Sequence, residues 1–65
     1  MLTKDDFDQM SARNVLDVIA SYCLLYNFDQ IQPEIYRDTL TNAAERLNMI
    51  RNQKWSEWAE TQGLL

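Results

Sequence analysis

The sequence is almost free of chain-breaking residues, since its 65 positions include one proline and one glycine. Pro33 marks a break near the middle of the chain, together with residues 27–29, and Gly63 marks a stop near the end. Between these points the apolar residues recur at helical spacing, and no stretch alternates regularly enough to favour a strand. The pattern predicts an all-α protein in which residues 1–65 form a single small domain.

Two capping residues predict where the first helices begin. Thr3 can cap a short first helix over residues 4–10, because Asp6 lies three positions later, as in a capping box. Ser11 can cap a second helix over residues 12–26. Apolar residues cover an arc of roughly 220° around this second helix, far wider than the stripe of about 100° that one neighbour covers. The arc consists of Ala12, Val15, Leu16, Val18, Ile19, Ala20, Tyr22, Cys23, Leu25 and Tyr26. We therefore expect this helix to occupy a central position.

A third and longer helix is predicted to begin at Pro33, because proline has no N–H to leave unpaired at the first helical position. No breaker occurs before Gly63, so we predict a continuous helix of about 30 residues. A bend near Asn52, followed by a final turn capped by Ser56, is the alternative. The apolar stripe of this helix is about 140° wide. It consists of Tyr36, Leu40, Ala43, Ala44, Leu47 and Ile50.

The expected fold is a short N-terminal helix followed by an antiparallel helical hairpin with a long second helix. A single hairpin of this size buries too thin a core for stability, and such hairpins commonly pair into four-helix bundles. We therefore predict a homo-oligomer, with dimerisation completing a helical bundle.

Composition and charge exclude several classes of partner and site. One cysteine and no histidine leave no intrachain disulfide and none of the common zinc sites. The net charge of −4 argues against duplex DNA or an anionic membrane, which both reward a basic surface. No apolar stretch reaches the length of about 18 residues that spans a bilayer. We expect a soluble, cytoplasmic protein that binds no cofactor.

Two pairs of carboxylates have the spacing of a helical metal site. Asp5 with Asp8, and Glu57 with Glu60, each place two acids on one helix face, as in the all-α nucleotide pyrophosphatases that hold magnesium. Such a site needs both pairs to face inward on neighbouring helices. Here one pair lies on a short terminal helix, so we interpret the acids as solvated and expect no metal site and no enzyme.

The remaining polar and aromatic groups near the interhelix turn favour structural roles. Cys23 lies on the apolar arc of the second helix without any histidine to act as a base, so we expect a buried structural cysteine. Aromatic side chains gather around the turn and are expected to seal that end of the hairpin. They are Tyr22, Tyr26, Phe28 and Tyr36.

The most informative cluster lies in the C-terminal third and consists of Arg51, Lys54, Trp55 and Trp58. Two interpretations are open. Trp55 and Trp58 can close the open end of the bundle over the second helix, which is the commoner role of aromatic residues at helical spacing. Alternatively the four residues bind a partner, because Trp and Arg are enriched at binding hot spots. We take this cluster as the candidate partner-binding site.

Three hypotheses for function follow from these patterns. The first is a small acidic helical protein-binding module that acts as a regulator, inhibitor or accessory subunit of a larger protein. Chains of this kind are often encoded by phages or other mobile elements, and such an origin is part of this hypothesis. The second is a homo-oligomeric building block of an assembly. A carboxylate-metal enzyme ranks well below both.

Overall fold

A computed structural model describes residues 2–63, which are entirely helical apart from short connections. Helix α1 spans Lys4–Asp8, α2 spans Ala12–Asn27 and α3 spans Pro33–Thr61, with no strand among the described residues. The prediction of an all-α protein with three helices is confirmed. Within residues 2–63, no helix is both long enough and apolar enough to cross a membrane.

Helix α1 begins with the predicted capping box. The backbone N–H of Asp6 donates to Thr3 Oγ1 over 3.4 Å, and the N–H of Thr3 donates to an Asp6 carboxylate oxygen over 2.8 Å. This second hydrogen bond, with one from the Thr3 hydroxyl, holds the pKa of Asp6 below its ordinary value. The helix ends at Asp8, two residues earlier than predicted, because the chain turns there and Met10 N–H bonds to the Phe7 carbonyl.

Helix α2 has the predicted start and a well-defined end. Ser11 Oγ accepts the N–H of Asn14 over 3.3 Å, so the predicted cap is confirmed. At the other end, Asp29 adopts a left-handed conformation with φ of 58°, and Gln30 N–H donates to the Leu25 carbonyl over 2.8 Å. Together with the bond from Asp29 N–H to the Tyr26 carbonyl, this forms a Schellman motif that stops the helix.

Helix α3 begins at Pro33 and continues for 29 residues, as predicted. The alternative of a separate final turn capped by Ser56 is wrong, because the helix passes through that position without a break. At 1.5 Å per residue, α3 is about 43 Å long and α2 about 24 Å. The two helices therefore cannot cover each other along their whole lengths.

Contacts between α3 and the preceding segments fall at two levels. Near the interhelix turn, the rings of Tyr26 and Tyr36 stack with centroids 4.4 Å apart. Far from the turn, Arg46 Nε donates a hydrogen bond of 3.0 Å to the carbonyl of Met10, just before α2 begins. Helix α1 lies against α3 close to this second level, where Lys4 Nζ is 3.9 Å from a Glu45 carboxylate oxygen.

The buried core is small. Among the described residues, the fully buried hydrophobic side chains are Phe7, Val15 and Ala43, one from each helix. Thr39 is also buried, and its hydroxyl oxygen has no hydrogen-bond partner within residues 2–63. Partly buried side chains pack around this centre, namely Leu2, Met10, Val18, Ile19 and Leu47. A core of this size leaves much apolar surface in contact with solvent.

The buried face of α3 is rotated from the predicted one. Thr39 and Ala43 are buried, whereas Ala44, which we placed in the apolar stripe, is exposed. At 100° per residue, the buried centre lies roughly 60° from the centre of the predicted stripe. Ile50 is half-buried in line with the buried centre, and Leu47 and Leu40 are half-buried about 60° and 80° away from it. The rotation places a second, largely apolar flank of α3 outside the core.

The apolar arc of α2 is mostly uncovered within one chain. Only Val15 is buried, while Leu16, with 56% of its surface exposed, and Ala20 face solvent. The exposed fraction of Phe28 is 69%, so the prediction that it helps to seal the turn is wrong. The chain measures 49 × 18 × 15 Å, and its radius of gyration is 14.6 Å. A compact chain of this length has a radius of about 11 Å, so the protein is distinctly elongated.

Candidate functional site

The predicted partner-binding cluster lies on the part of α3 that extends beyond α2. The Met10 contact places Arg46 beside the start of α2, so within residues 2–63 the segment of α3 that follows Ile50 has no other helix next to it. Every residue from 51 to 58 is exposed. This free segment of α3, residues 51–61, is about 16 Å long at the usual helical rise.

Trp55 and Trp58 pack against each other on this free segment. Their ring centroids are 5.1 Å apart with an interplanar angle of 71°, which is an edge-to-face arrangement. The exposed fractions are 59% for Trp55 and 49% for Trp58. The interpretation that these side chains close the bundle over α2 is therefore wrong for the single chain.

The two tryptophans and two cations line one shallow groove. It has a volume of about 270 Å³ and is formed by Arg51, Lys54, Trp55 and Trp58. Each cation lies four residues before a tryptophan, so that Arg51 neighbours Trp55 and Lys54 neighbours Trp58 on the helix surface. The structure thus brings together all four residues that the sequence singles out.

The local charge of this groove is opposite to that of the chain as a whole. The chain carries 10 acidic and 6 basic residues, yet the groove contains two basic residues and no acidic one. A surface of aromatic rings flanked by cations suits an apolar side chain of another protein that is bordered by carboxylates. Single-stranded nucleic acid also stacks on tryptophans, but its binding grooves require a more extended positive field.

The carboxylate pairs are not assembled into one site. The Lys4–Glu45 contact places α1 near Glu45, and Glu57 lies 12 positions further along α3. That separation is about 18 Å along the helix axis. Within residues 2–63, no group of three or more acidic or cysteine side chains is close enough to hold a metal ion.

The cysteine and the aromatic residues near the interhelix turn form a second, smaller cluster. Cys23 is half-buried, and Asn27 Nδ2 donates to its sulfur over 3.5 Å. Hydrogen bonding with the Cys23 side chain, together with burial, raises the pKa of the Tyr36 phenol. A cleft of about 300 Å³ beside this cluster is lined by Tyr26, Pro33, Glu34, Tyr36 and Arg37. The stacked tyrosines stabilise this end of the structure and present no nucleophile with a base.

Sequence reasoning did not identify the open apolar flank of α2 and α3. Its central members are Leu16, Ala20, Leu40 and Ala44, which we had assigned to buried stripes. The signal was present in the width of the apolar arc, which exceeds what the single chain covers. Comparison of the chain with protein-family models, with curated proteins and with solved structures finds no match.

Proposed function

We propose that this chain is a small acidic helical protein-binding module that acts as a regulator, inhibitor or accessory subunit of a larger cytoplasmic protein. The observation that carries the proposal is the exposed tryptophan pair on the free segment of α3. Exposure of large aromatic side chains to water is unfavourable. On a helix segment with no neighbouring helix, two tryptophans contribute little to folding, whereas tryptophan is enriched at binding hot spots.

The proposed partner has an apolar pocket bordered by carboxylates. Trp55 and Trp58 supply the buried centre of the contact, because they combine a large area with few rotatable bonds. Arg51 and Lys54 lie beside them and supply the charge complementarity, which affects the rate and specificity of association more than its strength. The rigid helix presents all four side chains without any loop that must become ordered on binding.

We also propose that α2 and α3 form an antiparallel hairpin and that two copies of the chain associate into a helical bundle. The Tyr26–Tyr36 stack and the Arg46–Met10 hydrogen bond support the hairpin, because the later residue of α3 contacts the earlier part of the chain. The small core supports the association. An assembly role without another partner is the second candidate function, and the same observation favours it.

A capture experiment with matched variants tests the leading proposal. The wild-type chain, Trp58→Ala and Asn52→Ala are immobilised and exposed to a lysate of the native host, and bound proteins are quantified by mass spectrometry. Asn52 lies on the same exposed segment but outside the groove. We expect a partner that binds wild type and Asn52→Ala equally. Trp58→Ala should weaken its binding by about 2 kcal/mol or more, which is roughly 30-fold. Equal capture by all three baits would contradict the proposal.

A further inference from the structure

One side of the α2–α3 pair is covered by α1, and the opposite side is open. Lys4 of α1 lies beside Glu45 of α3, and Met10, in the turn that follows α1, accepts the hydrogen bond from Arg46. Angles around the axis of α3 are measured from the midpoint between the buried Thr39 and Ala43. Arg46 lies to one side of this midpoint. Leu40 and Ala44 lie to the other side, at angles of about 80° and 120°. The side of α3 that carries Leu40 and Ala44 is thus turned away from α1.

Helix α2 contributes two residues to the same open side. Measured from the buried Val15, Leu16 and Ala20 lie at offsets of about 100° and 140°, away from Val18, which packs against the core. Viewed from one end, the chain turns clockwise in one of two antiparallel helices and anticlockwise in the other. Residues that are rotated by similar positive angles from the buried centre of each helix therefore lie on the same side of the helix pair. Leu16, Ala20, Leu40 and Ala44 therefore share one surface, which we call the open face.

The four residues of the open face form two rows of two, in which large and small side chains alternate. In two contacts that α3 makes near the ends of α2, the residue numbers add up to 62 for Tyr26–Tyr36 and 56 for Arg46–Met10. Residues whose numbers add up to about 60 therefore lie at the same level along an antiparallel pair of helices. Leu16 is level with Ala44, and Ala20 is level with Leu40. Each level has one large and one small side chain, and the order is reversed between the two levels.

This alternation makes the open face complementary to itself. When a second copy is placed face to face by a two-fold rotation about an axis in the plane of contact, each leucine lies opposite an alanine. This holds whether that axis runs along the helices or across them. Large side chains that project over small ones give the interdigitated packing of helical bundles, and a two-fold contact needs such a self-complementary patch.

The chain exposes more surface than a compact protein of its mass, and the open face contributes to this excess. The chain exposes 5026 Å², whereas a compact protein of 7.7 kDa exposes about 4,300 Å². The free segment of α3 supplies part of this excess of about 700 Å², because its residues 51–58 are all exposed. The open face supplies another part through the exposed 56% of Leu16 and the exposed Ala20 and Ala44. An interface of standard size buries about 800 Å² of each partner.

We infer that the open face is the dimer interface and that its occupant is a second copy of this chain, with Leu16 and Leu40 of one copy packing over Ala20 and Ala44 of the other. This inference rests on the self-association proposed above. It identifies which surface of the chain completes the bundle. The tryptophan groove lies further along the same flank of α3, beyond the end of α2.

Sedimentation equilibrium with charge substitutions tests the interface. Ala20→Glu and Ala44→Glu place a carboxylate in the proposed contact, and each is expected to raise the dimer dissociation constant at least tenfold. The matched controls are Ser21→Glu and Thr41→Glu, which add the same charge to neighbouring exposed positions outside the open face. They are expected to change the dissociation constant by less than about twofold.

A second measurement uses the wild-type protein and so does not depend on the folding of any variant. An equal mixture of ¹³C-labelled and unlabelled chains is studied by isotope-filtered nuclear Overhauser spectroscopy. We expect intermolecular signals between leucine methyls at positions 16 and 40 and alanine methyls at positions 20 and 44.

The outcomes separate this inference from the proposals before it. A dimer with intermolecular signals only from other residues, and with unchanged dissociation constants for Ala20→Glu and Ala44→Glu, would overturn the open-face interface but not self-association. A wild-type chain that stays monomeric at NMR concentration would overturn both. The capture experiment tests the tryptophan groove separately.

Discussion

The guanidinium of Arg46 donates a hydrogen bond to the main-chain carbonyl of Met10 over 3.0 Å, and this contact joins α3 to the turn between α1 and α2. The two residues are 36 positions apart, and the bond is partly buried. It fixes the level at which α3 passes the start of α2, and therefore where the free segment of α3 begins. A charged donor on a main-chain acceptor is stronger than a neutral pair.

Loss of this hydrogen bond should lower stability. We expect Arg46→Ala to reduce the free energy of unfolding by about 1.5–3 kcal/mol, the usual range for a hydrogen bond to a charged group. The control is Arg37→Ala, because Arg37 is exposed and its contact with Asp38 is 3.8 Å long. That variant should stay within about 0.5 kcal/mol of wild type. Urea unfolding followed by circular dichroism compares them, and equal losses would contradict the role assigned to Arg46.

The buried hydroxyl of Thr39 gives a prediction of the opposite sign. Its oxygen has no partner among the residues that the structure describes, so burial costs free energy that no hydrogen bond returns. Thr39→Val keeps the shape and removes the hydroxyl, and we expect a gain of about 1 kcal/mol in the free energy of unfolding. Thr41→Val is the control, because the Thr41 hydroxyl is exposed and donates to the Arg37 carbonyl over 3.0 Å. A loss of stability in Thr39→Val would show that its hydroxyl is satisfied.

The local structure of this chain was predictable from sequence, because its signals act over a few residues. The Thr3 and Ser11 caps, the start at Pro33 and the uninterrupted course of α3 each depend on neighbours within one helical turn. The end of α2 was less visible, since it relies on Asp29 in a left-handed conformation where glycine is the usual residue. The sequence also provided all four members of the groove.

The rotation of α3 and the identity of the core residues were not predictable from such short-range signals, because they depend on contacts between helices. Phe7 is buried although we gave it no role, and its spacing from Leu2 across the Thr3 cap is that of a hydrophobic staple. Thr39 was missed because the apolar stripe was assigned from hydrophobic residues, and threonine is less hydrophobic than the neighbouring Leu40 and Ala44. Phe7 of α1 and Val15 of α2 both meet Ala43 in the core, and an apolar stripe of about 140° permits several orientations of α3 against these two helices. Helical spacing alone therefore could not show that the tryptophans lie outside the core.

The capping box at Thr3 predicts a specific response to acid. The folded-state pKa of Asp6 lies below its ordinary value of 3.8, because its carboxylate accepts hydrogen bonds from the Thr3 N–H and hydroxyl. The stabilisation is therefore complete above the unfolded-state pKa and is lost as the pH falls through the lower folded-state pKa. We expect the stability difference between wild type and Asp6→Asn to shrink as the pH falls from about 6 to about 2. Urea unfolding at several pH values measures it, and a constant difference would contradict the assignment.

Divalent metal ions should not affect the fold. Within residues 2–63, α1 lies beside Glu45 of α3, about 18 Å from Glu57 along the helix, so the two pairs of carboxylates form no shared metal site. Magnesium, calcium and zinc should each leave the melting temperature unchanged, because a ligand raises it only by binding the folded state. A reproducible rise of several degrees with magnesium would restore the metal hypothesis and direct attention to Asp5, Asp8, Glu57 and Glu60.

The thermal unfolding of Trp58→Ala tests most directly whether the tryptophans serve binding rather than folding. In the isolated protein Trp58 contacts Trp55 on an exposed segment, so its removal should change the free energy of unfolding by no more than about 0.5 kcal/mol. Full helicity and the wild-type melting temperature are therefore expected from circular dichroism. A loss of about 3–5 kcal/mol, the range for a large buried aromatic residue, would instead show that Trp58 belongs to the core and would contradict the proposed binding groove.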